Sequence, residues 1–204
     1  MATDTLKDDQ LRLRYCLFLG LLEMVNTLLI VLDFRLEKVP SSEETALRIE
    51  KTVSFRLNGE RVTVKCPPAY TLLEVLREEL HVTGPKEDCA KGECGACTVI
   101  KDGAPVCSCL VLVSQAEGSE IITSEGLVKD GRLNPVQEAF IEQGAVQCGH
   151  CIPGMIVSAS ALLMRNQHPT VDEIRTALSG NLCRCTGYSK IITAVQEAAK
   201  NWRQ

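Results

Sequence analysis

A chain of 204 residues has room for one large domain or two small ones. At 45% hydrophobic, 24% charged and a net charge of −4 it has an ordinary globular composition, with no basic excess to hold nucleic acid. Its three histidines are too scattered for a histidine-based metal site, which sets aside a Rieske-type centre with its two histidine ligands.

Residues 1–51 differ in pattern from the rest of the chain. A polar, acidic stretch from Asp4 to Gln10 leads into an apolar run, Tyr15 to Leu32, broken by Glu23 and Asn26. The run is long enough to raise the question of a membrane span. A buried Glu and Asn would be costly there, however, and no basic region with a small-residue cleavage site precedes the run, so a membrane role is disfavoured. Three readings stay open for this extension: a helix docked on a partner, a segment upstream of the functional start, or membrane association.

From Thr52 the pattern is that of short strands. Val53, Phe55 and Leu57 alternate, Asn58-Gly59 supplies a tight turn, and Val62 and Val64 alternate back. Thr71-x-x-Glu74 forms a capping box that opens a helix from Leu72 to Leu80. A Gly-rich, Cys-rich loop follows. Then come a strand at Thr98–Lys101, a turn at Asp102-Gly103, a return near Val106 and a short strand from Glu120 to Thr123. A hairpin, a helix and further strands in so short a span suggest an α+β domain of β-grasp type over 52–127.

From Leu127 the pattern turns helical. Asn134 caps a helix with Pro135 at its first position, and Gly144 ends it. Pro153 opens an apolar helix through Met164, Thr170-x-x-Glu173 boxes a third closed by Gly180, and a fourth runs from about Ser189 to Trp202. Four short helices with short connections predict a small four-helix bundle over 128–204. The composition shift between Gly126 and Gly131 marks the expected boundary.

Cysteine carries the chemistry. Eleven is an odd number, and tight C-x-x-C and C-x-C pairs are poorly placed for a secreted disulfide framework. A reducing cytoplasm with cysteines serving metal is the better reading. Eight of them form two sets of four: Cys89-x4-Cys94-x2-Cys97-x11-Cys109, and Cys148-x2-Cys151 with Cys183-x-Cys185 thirty-one residues on. Four thiolates are what a 2Fe–2S cluster requires, and the first spacing is that of plant-type ferredoxins. Gly92 and Gly95 lie between its ligands, where a loop must bend sharply and bring N–H groups close to sulfur. Cys107 competes with Cys109 for the fourth place, since the two would face one side of a strand; spacing favours Cys109. In the second set both cysteine pairs precede helix starts, where N–H groups and the dipole favour an anionic cluster. Cys16, Cys66 and Cys107 are left as plain thiols.

Three other readings compete. Zinc also takes four thiolates, but structural zinc favours two separated knuckles, which neither set shows. Cys148-Gly149-His150-Cys151 has the form of a thiol–disulfide oxidoreductase site, yet this leaves Cys183, Cys185 and the whole first set idle. A stand-alone ferredoxin carrier would have little use for the second set.

Gly92-Glu93-Cys94-Gly95-Ala96-Cys97-Thr98-Val99, Gln147-Cys148-Gly149-His150-Cys151-Ile152-Pro153-Gly154-Met155 and Gly180-Asn181-Leu182-Cys183-Arg184-Cys185-Thr186-Gly187-Tyr188 resemble the iron–sulfur subunit of xanthine dehydrogenase-type molybdenum hydroxylases. The resemblance covers about residues 52–201. It implies a ferredoxin-like β-grasp domain followed by a four-helix bundle, each with a 2Fe–2S cluster, and no catalytic residue on this chain. It further implies a large partner subunit with molybdopterin and a medium one with FAD. Electrons would pass from molybdenum to the bundle cluster, to the ferredoxin-like cluster and on to FAD. Gln147 and Cys185 match family positions that also touch the pterin. His150 and Ile152 depart from the family, which usually has an aromatic residue and a Thr there. Relatives that oxidise carbon monoxide or reduce aromatic acyl-CoA thioesters remain as alternatives.

Overall fold

The computed structural model describes residues 50–202. The extension over residues 1–49, with the readings offered for it and Cys16, lies outside the described residues. Five strands form one mixed sheet in the order β2-β1-β5-β3-β4. β1 (Lys51–Leu57) and β2 (Glu60–Cys66) pair antiparallel, with Val53 opposite Val64 and Phe55 opposite Val62. Asn58 (φ 53°) and Gly59 (φ 90°) make the turn, both left-handed as a two-residue hairpin of this kind requires.

The chain then leaves the sheet for a helix, α1 (Leu72–Glu74), which continues as a π-helical turn, Val75–Glu79. The capping box is formed: the Glu74 N–H donates to Thr71 Oγ1 at 3.2 Å, and the Thr71 N–H donates to Glu74 Oε2 at 2.6 Å. Leu72, Leu73, Val75 and Leu76 turn inward. The cysteine-rich loop leads into β3 (Thr98–Lys101), which returns as β4 (Ala104–Cys107). β5 (Glu120–Ile122) inserts between β1, to which it runs parallel, and β3. One face of this sheet closes over Val53, Phe55, Leu72, Leu76, Val99, Val113 and Ile121. Burying a side chain the size of Phe55 stabilises the fold by about 1.5–3 kcal/mol.

The rest is helical: α2 (Pro135–Glu142), α3 (Ile152–Arg165), α4 (Val171–Leu178) and α5 (Ser189–Asn201). Asn134 and Thr170 cap α2 and α4 with complete capping boxes. α3 is the central element, buried at ten consecutive positions from Gly154 to Leu163. An apolar helix of this kind needs cover on all sides. Helices supply part of it, and β3 supplies the rest, since Ile100 belongs to the same apolar cluster as Met155, Leu163, Ile174 and Ile191. The sheet and the helices therefore share a core, which places the two cysteine-bearing regions against each other. No helix among the described residues is long and apolar enough to cross a membrane.

Candidate iron–sulfur centres

The first set lies where α1 hands the chain to β3. Cys89 is half-buried, and its Sγ accepts the backbone N–H groups of Lys91 at 3.4 Å and Glu93 at 3.3 Å. These donors, Lys91 foremost, hold its thiol down at about 7. Cys94 stands beside it, buried, with its thiol pushed up by that burial. Cys97 and Cys109 form a second close pair, sealed by Leu73. Burial, then the neighbouring Cys97, pushes the Cys109 thiol up to about 12, while the Gly92 N–H pulls the other way. Ionising such a thiol in an apolar pocket is expensive unless a cation takes the charge.

Cys107 and Cys109 do not share a strand face. β4 stops at Cys107, and the next residues, Ser108–Leu110, turn as a 3-10 helix that carries Cys109 back towards Cys97. The Ser108 hydroxyl donates to the Cys97 carbonyl at 2.7 Å and fixes that turn. Both thiols lie beside Cys97, and Cys107 donates its S–H to the Gly92 carbonyl at 3.8 Å. Burial pushes the Cys107 thiol up to about 11.

The second set joins two distant segments. Cys148 and Cys185 are both exposed, with their sulfurs 3.6 Å apart. Behind them Cys151, buried, faces Cys183 within hydrogen-bonding reach, and burial pushes the Cys151 thiol up to about 12. Burial raises the Cys183 thiol too, but the Thr186 hydroxyl at 3.1 Å and N–H at 3.5 Å overcome it, leaving that thiol lowered. The helix-terminus expectation holds only in part. Cys151 occupies the N-cap of α3, yet its sulfur makes no capping bond and turns to Cys183 instead. Cys185 is separated from α5 by Thr186, Gly187 and Tyr188, so Thr186 does for this pair what the helix was expected to do. Tyr188, left-handed at φ 66°, folds back: its hydroxyl accepts the Cys183 N–H at 2.8 Å and donates to the Asn181 carbonyl at 3.3 Å. Gln147 and His150 are exposed beside Cys148. His81 and His168 are exposed as well, and Trp202 packs part-buried against the helical core.

Each set is thus two pairs of thiols. Two sulfurs bound to one tetrahedral metal by bonds of about 2.3 Å stand about 3.8 Å apart, close to the Cys148–Cys185 separation of 3.6 Å. Two separate pairs are what a centre with two irons takes, one pair for each. The donor set is all sulfur, and backbone N–H groups already point at Cys89, Cys109 and Cys183. Pairing of Cys148 with Cys185 rather than Cys151 also disfavours the thiol–disulfide oxidoreductase reading.

A mixed sheet followed by helices, with a set of four cysteines gathered in each part, is the arrangement expected of the class of 2Fe–2S-binding proteins. A model described as "2Fe-2S iron-sulfur cluster binding domain" matches residues 55–126, and one described as "2Fe-2S binding domain" matches residues 123–196. The nicotinate dehydrogenase small FeS subunit of Eubacterium barkeri is 52% identical over 149 residues, 73% of this chain and 95% of that one. The xanthine dehydrogenase iron-sulfur-binding subunit of Escherichia coli O157:H7 is 46% identical over 151 residues, 73% of this chain and 94% of the relative. Among solved structures, quinoline 2-oxidoreductase from Pseudomonas putida 86 superposes with a TM-score of 0.72 at 43% identity, covering 74% of this chain and 94% of that chain. The aldehyde oxidoreductase of Desulfovibrio desulfuricans ATCC 27774 gives the same TM-score of 0.72 at 42% identity, where 74% of this chain matches 17% of a much longer one. The chain belongs to the family of 2Fe–2S small subunits of the xanthine and nicotinate dehydrogenases.

Proposed function

We propose that this chain conducts electrons between a molybdopterin centre on a large partner subunit and FAD on a medium one. In this reading residues 52–127 are a ferredoxin-like β-grasp domain, residues 128–204 a four-helix bundle, and residues 1–51 an extension outside both. Cys89, Cys94, Cys97 and Cys109 hold one 2Fe–2S cluster, and Cys148, Cys151, Cys183 and Cys185 hold the other. Each cluster, when bound, supplies a site that takes up and releases one electron. The observation that carries the assignment is the arrangement of eight thiols as four pairs, two in each part of the fold.

The chain's own residues do three things. They place thiolates in pairs; they aim N–H and hydroxyl donors at sulfur, which raises reduction potential; and they bury the inner thiols to keep water out. Cys94, Cys97, Cys109 and Cys151 are buried, while Cys148 and Cys185 reach the surface. The exposed edge carrying Cys148, Cys185 and Gln147 suits the approach of the molybdopterin subunit. Leu110 and Leu112 beside the first set, and Val146 and Leu182 beside the second, are large apolar side chains left exposed. Apolar surface gathered near both centres fits docking on two partners. Selection of the substrate lies with the large subunit, and a cytoplasmic location follows from thiols kept reduced for metal.

Affinity purification of the tagged chain from its native host tests this. Molybdopterin- and FAD-bearing chains should be retained together, in equal amounts with it. A chain recovered alone, loaded with iron and exchanging electrons only with soluble carriers, would identify a stand-alone ferredoxin instead.

A further inference from the structure

The two cysteine sets meet along one seam, and a single side chain ties it. Asn181, two residues before Cys183, is 4% exposed. Its Nδ2 donates to the Gly95 carbonyl at 2.9 Å and lies 3.3 Å from Thr98 Oγ1. Its Oδ1 accepts the Ser158 hydroxyl at 2.7 Å. The orientation of the amide is fixed, because a carbonyl oxygen only accepts and Nδ2 must face it. Thr98 Oγ1 spends its own proton on the same Gly95 carbonyl at 2.6 Å, which leaves it free to accept. Gly95 lies between Cys94 and Cys97, and Ser158 lies on the helix that Cys151 caps. One buried amide therefore grips the loop of the first set and the helix of the second.

Its neighbours are built for close approach. Gly95 is left-handed at φ 69°, and a Cβ there would collide with the Gly180 carbonyl, with Asn181 Nδ2 at 2.7 Å. A Cβ on Gly154, in the first turn of α3, would collide with the Gly95 carbonyl. Beside them the Leu182 N–H donates to the Cys94 carbonyl at 2.9 Å. Backbone thus touches backbone between the residue that precedes Cys183 and Cys94 itself. An apolar side chain of the same volume would fill the space, but it would let the surfaces slide. A fully satisfied buried amide is directional and fixes one arrangement.

We propose that Asn181 is a positioning residue that sets the separation and orientation of the two iron–sulfur centres, and through them the exchange of one electron between them. In that exchange one centre is oxidised as the other is reduced, and no bond is made or broken. The proposal rests on the assignment of the two clusters, and the test separates the two. The full-length chain, as it purifies with its clusters, is reduced with dithionite and its electron paramagnetic resonance recorded at low temperature. Two nearby reduced centres split each other's lines, by an amount that falls with the cube of their separation. The wild type should show two signals with such splitting; a missing signal there strikes at the cluster assignment.

Asn181→Ala should retain wild-type iron and both signals but lose the resolved splitting, and one-electron equilibration between the centres should slow. Ser158→Ala, which removes only the hydroxyl that donates to Asn181 Oδ1, should show a smaller change in the same direction. It carries the test if Asn181→Ala fails to fold. Val195→Ala, a buried change in α5 on the helical core, should destabilise the protein and leave the splitting as it is. Unchanged splitting in the Asn181 and Ser158 variants would overturn the proposal. So would an equal loss in Val195→Ala.

Discussion

Gly154 occupies the first turn of α3, and on helix propensity alone Gly154→Ala should stabilise the protein by up to about 1 kcal/mol. The structure requires the opposite sign. An added Cβ would sit well inside contact distance of the Gly95 carbonyl, with Asn181 Nδ2 at 3.2 Å and the Ala96 carbonyl at 3.3 Å. Two of these three obstacles are backbone in the loop between Cys94 and Cys97, which cannot rotate aside as a flexible side chain would. Overpacking of this kind costs about 1–3 kcal/mol, and a backbone obstacle belongs at the upper end. Setting about 3 against a gain of about 1 leaves a net loss of about 2 kcal/mol. For a chain of this size that is a fall of about 4–8 °C in the unfolding midpoint. Circular dichroism and cluster absorbance, followed during a thermal scan of wild type and variant at one scan rate, give the comparison. The first cluster should bleach earlier than in wild type. A variant as stable as wild type, or more so, would refute the close approach of α3 to the first cysteine loop, and with it the shared core.

Cys109→Ser should alter one of the two paramagnetic signals, and Cys107→Ser should leave both as they are, because Cys109 is buried against Cys97 while the half-buried Cys107 spends its S–H on the Gly92 carbonyl; the reverse result would reassign the ligand. Tyr188→Phe leaves the Cys183 N–H and Asn181 carbonyl without their shared partner, at a cost of about 1–3 kcal/mol, and it should shift the reduction potential of the second cluster alone; equal shifts in both clusters would contradict a local role. Glu125 accepts the Gly84 N–H at 2.6 Å and the hydroxyls of Thr123 at 2.7 Å and Ser124 at 3.0 Å. Although burial pushes its carboxyl up, these donors prevail and lower it. A lowered folded value means stability that is present above the ordinary carboxylate value, near 4.3, and lost as pH falls through the folded one. The gap in unfolding midpoint between wild type and Glu125→Gln should accordingly be widest at neutral pH and close as the solution is acidified; a gap that widens in acid would reverse the sign.

The local signals in the sequence translate directly into structure. Asn58-Gly59 turns the first hairpin, the boxes at Thr71 and Thr170 cap their helices, and Pro135 and Pro153 stand in the opening turns of α2 and α3. These features are legible because each depends on residues within a turn of one another. What could not be read depends on pairing across distance. Nothing local says that β5 enters between β1 and β3, or that Cys148 meets Cys185 while Cys151 meets Cys183. A 3-10 turn at Ser108–Leu110 was hidden because alternating Cys107 and Cys109 resemble one face of a strand. The π-helical turn after Glu74 was hidden too, since the apolar pattern of Leu72, Leu73, Val75 and Leu76 suits any helix. Asn181 lies in the motif Gly180-Asn181-Leu182-Cys183, but nothing in that motif says what its side chain bonds. Its role comes from a hydrogen bond to a residue eighty-six positions away.

Metal analysis of the purified full-length chain, combined with electron paramagnetic resonance of the reduced protein, addresses the assignment of two clusters most directly. Two complete 2Fe–2S centres require about four irons per chain, an equal amount of acid-labile sulfide and two distinguishable signals of equal intensity. Stoichiometric zinc without sulfide, or about two irons with a single signal, would contradict it.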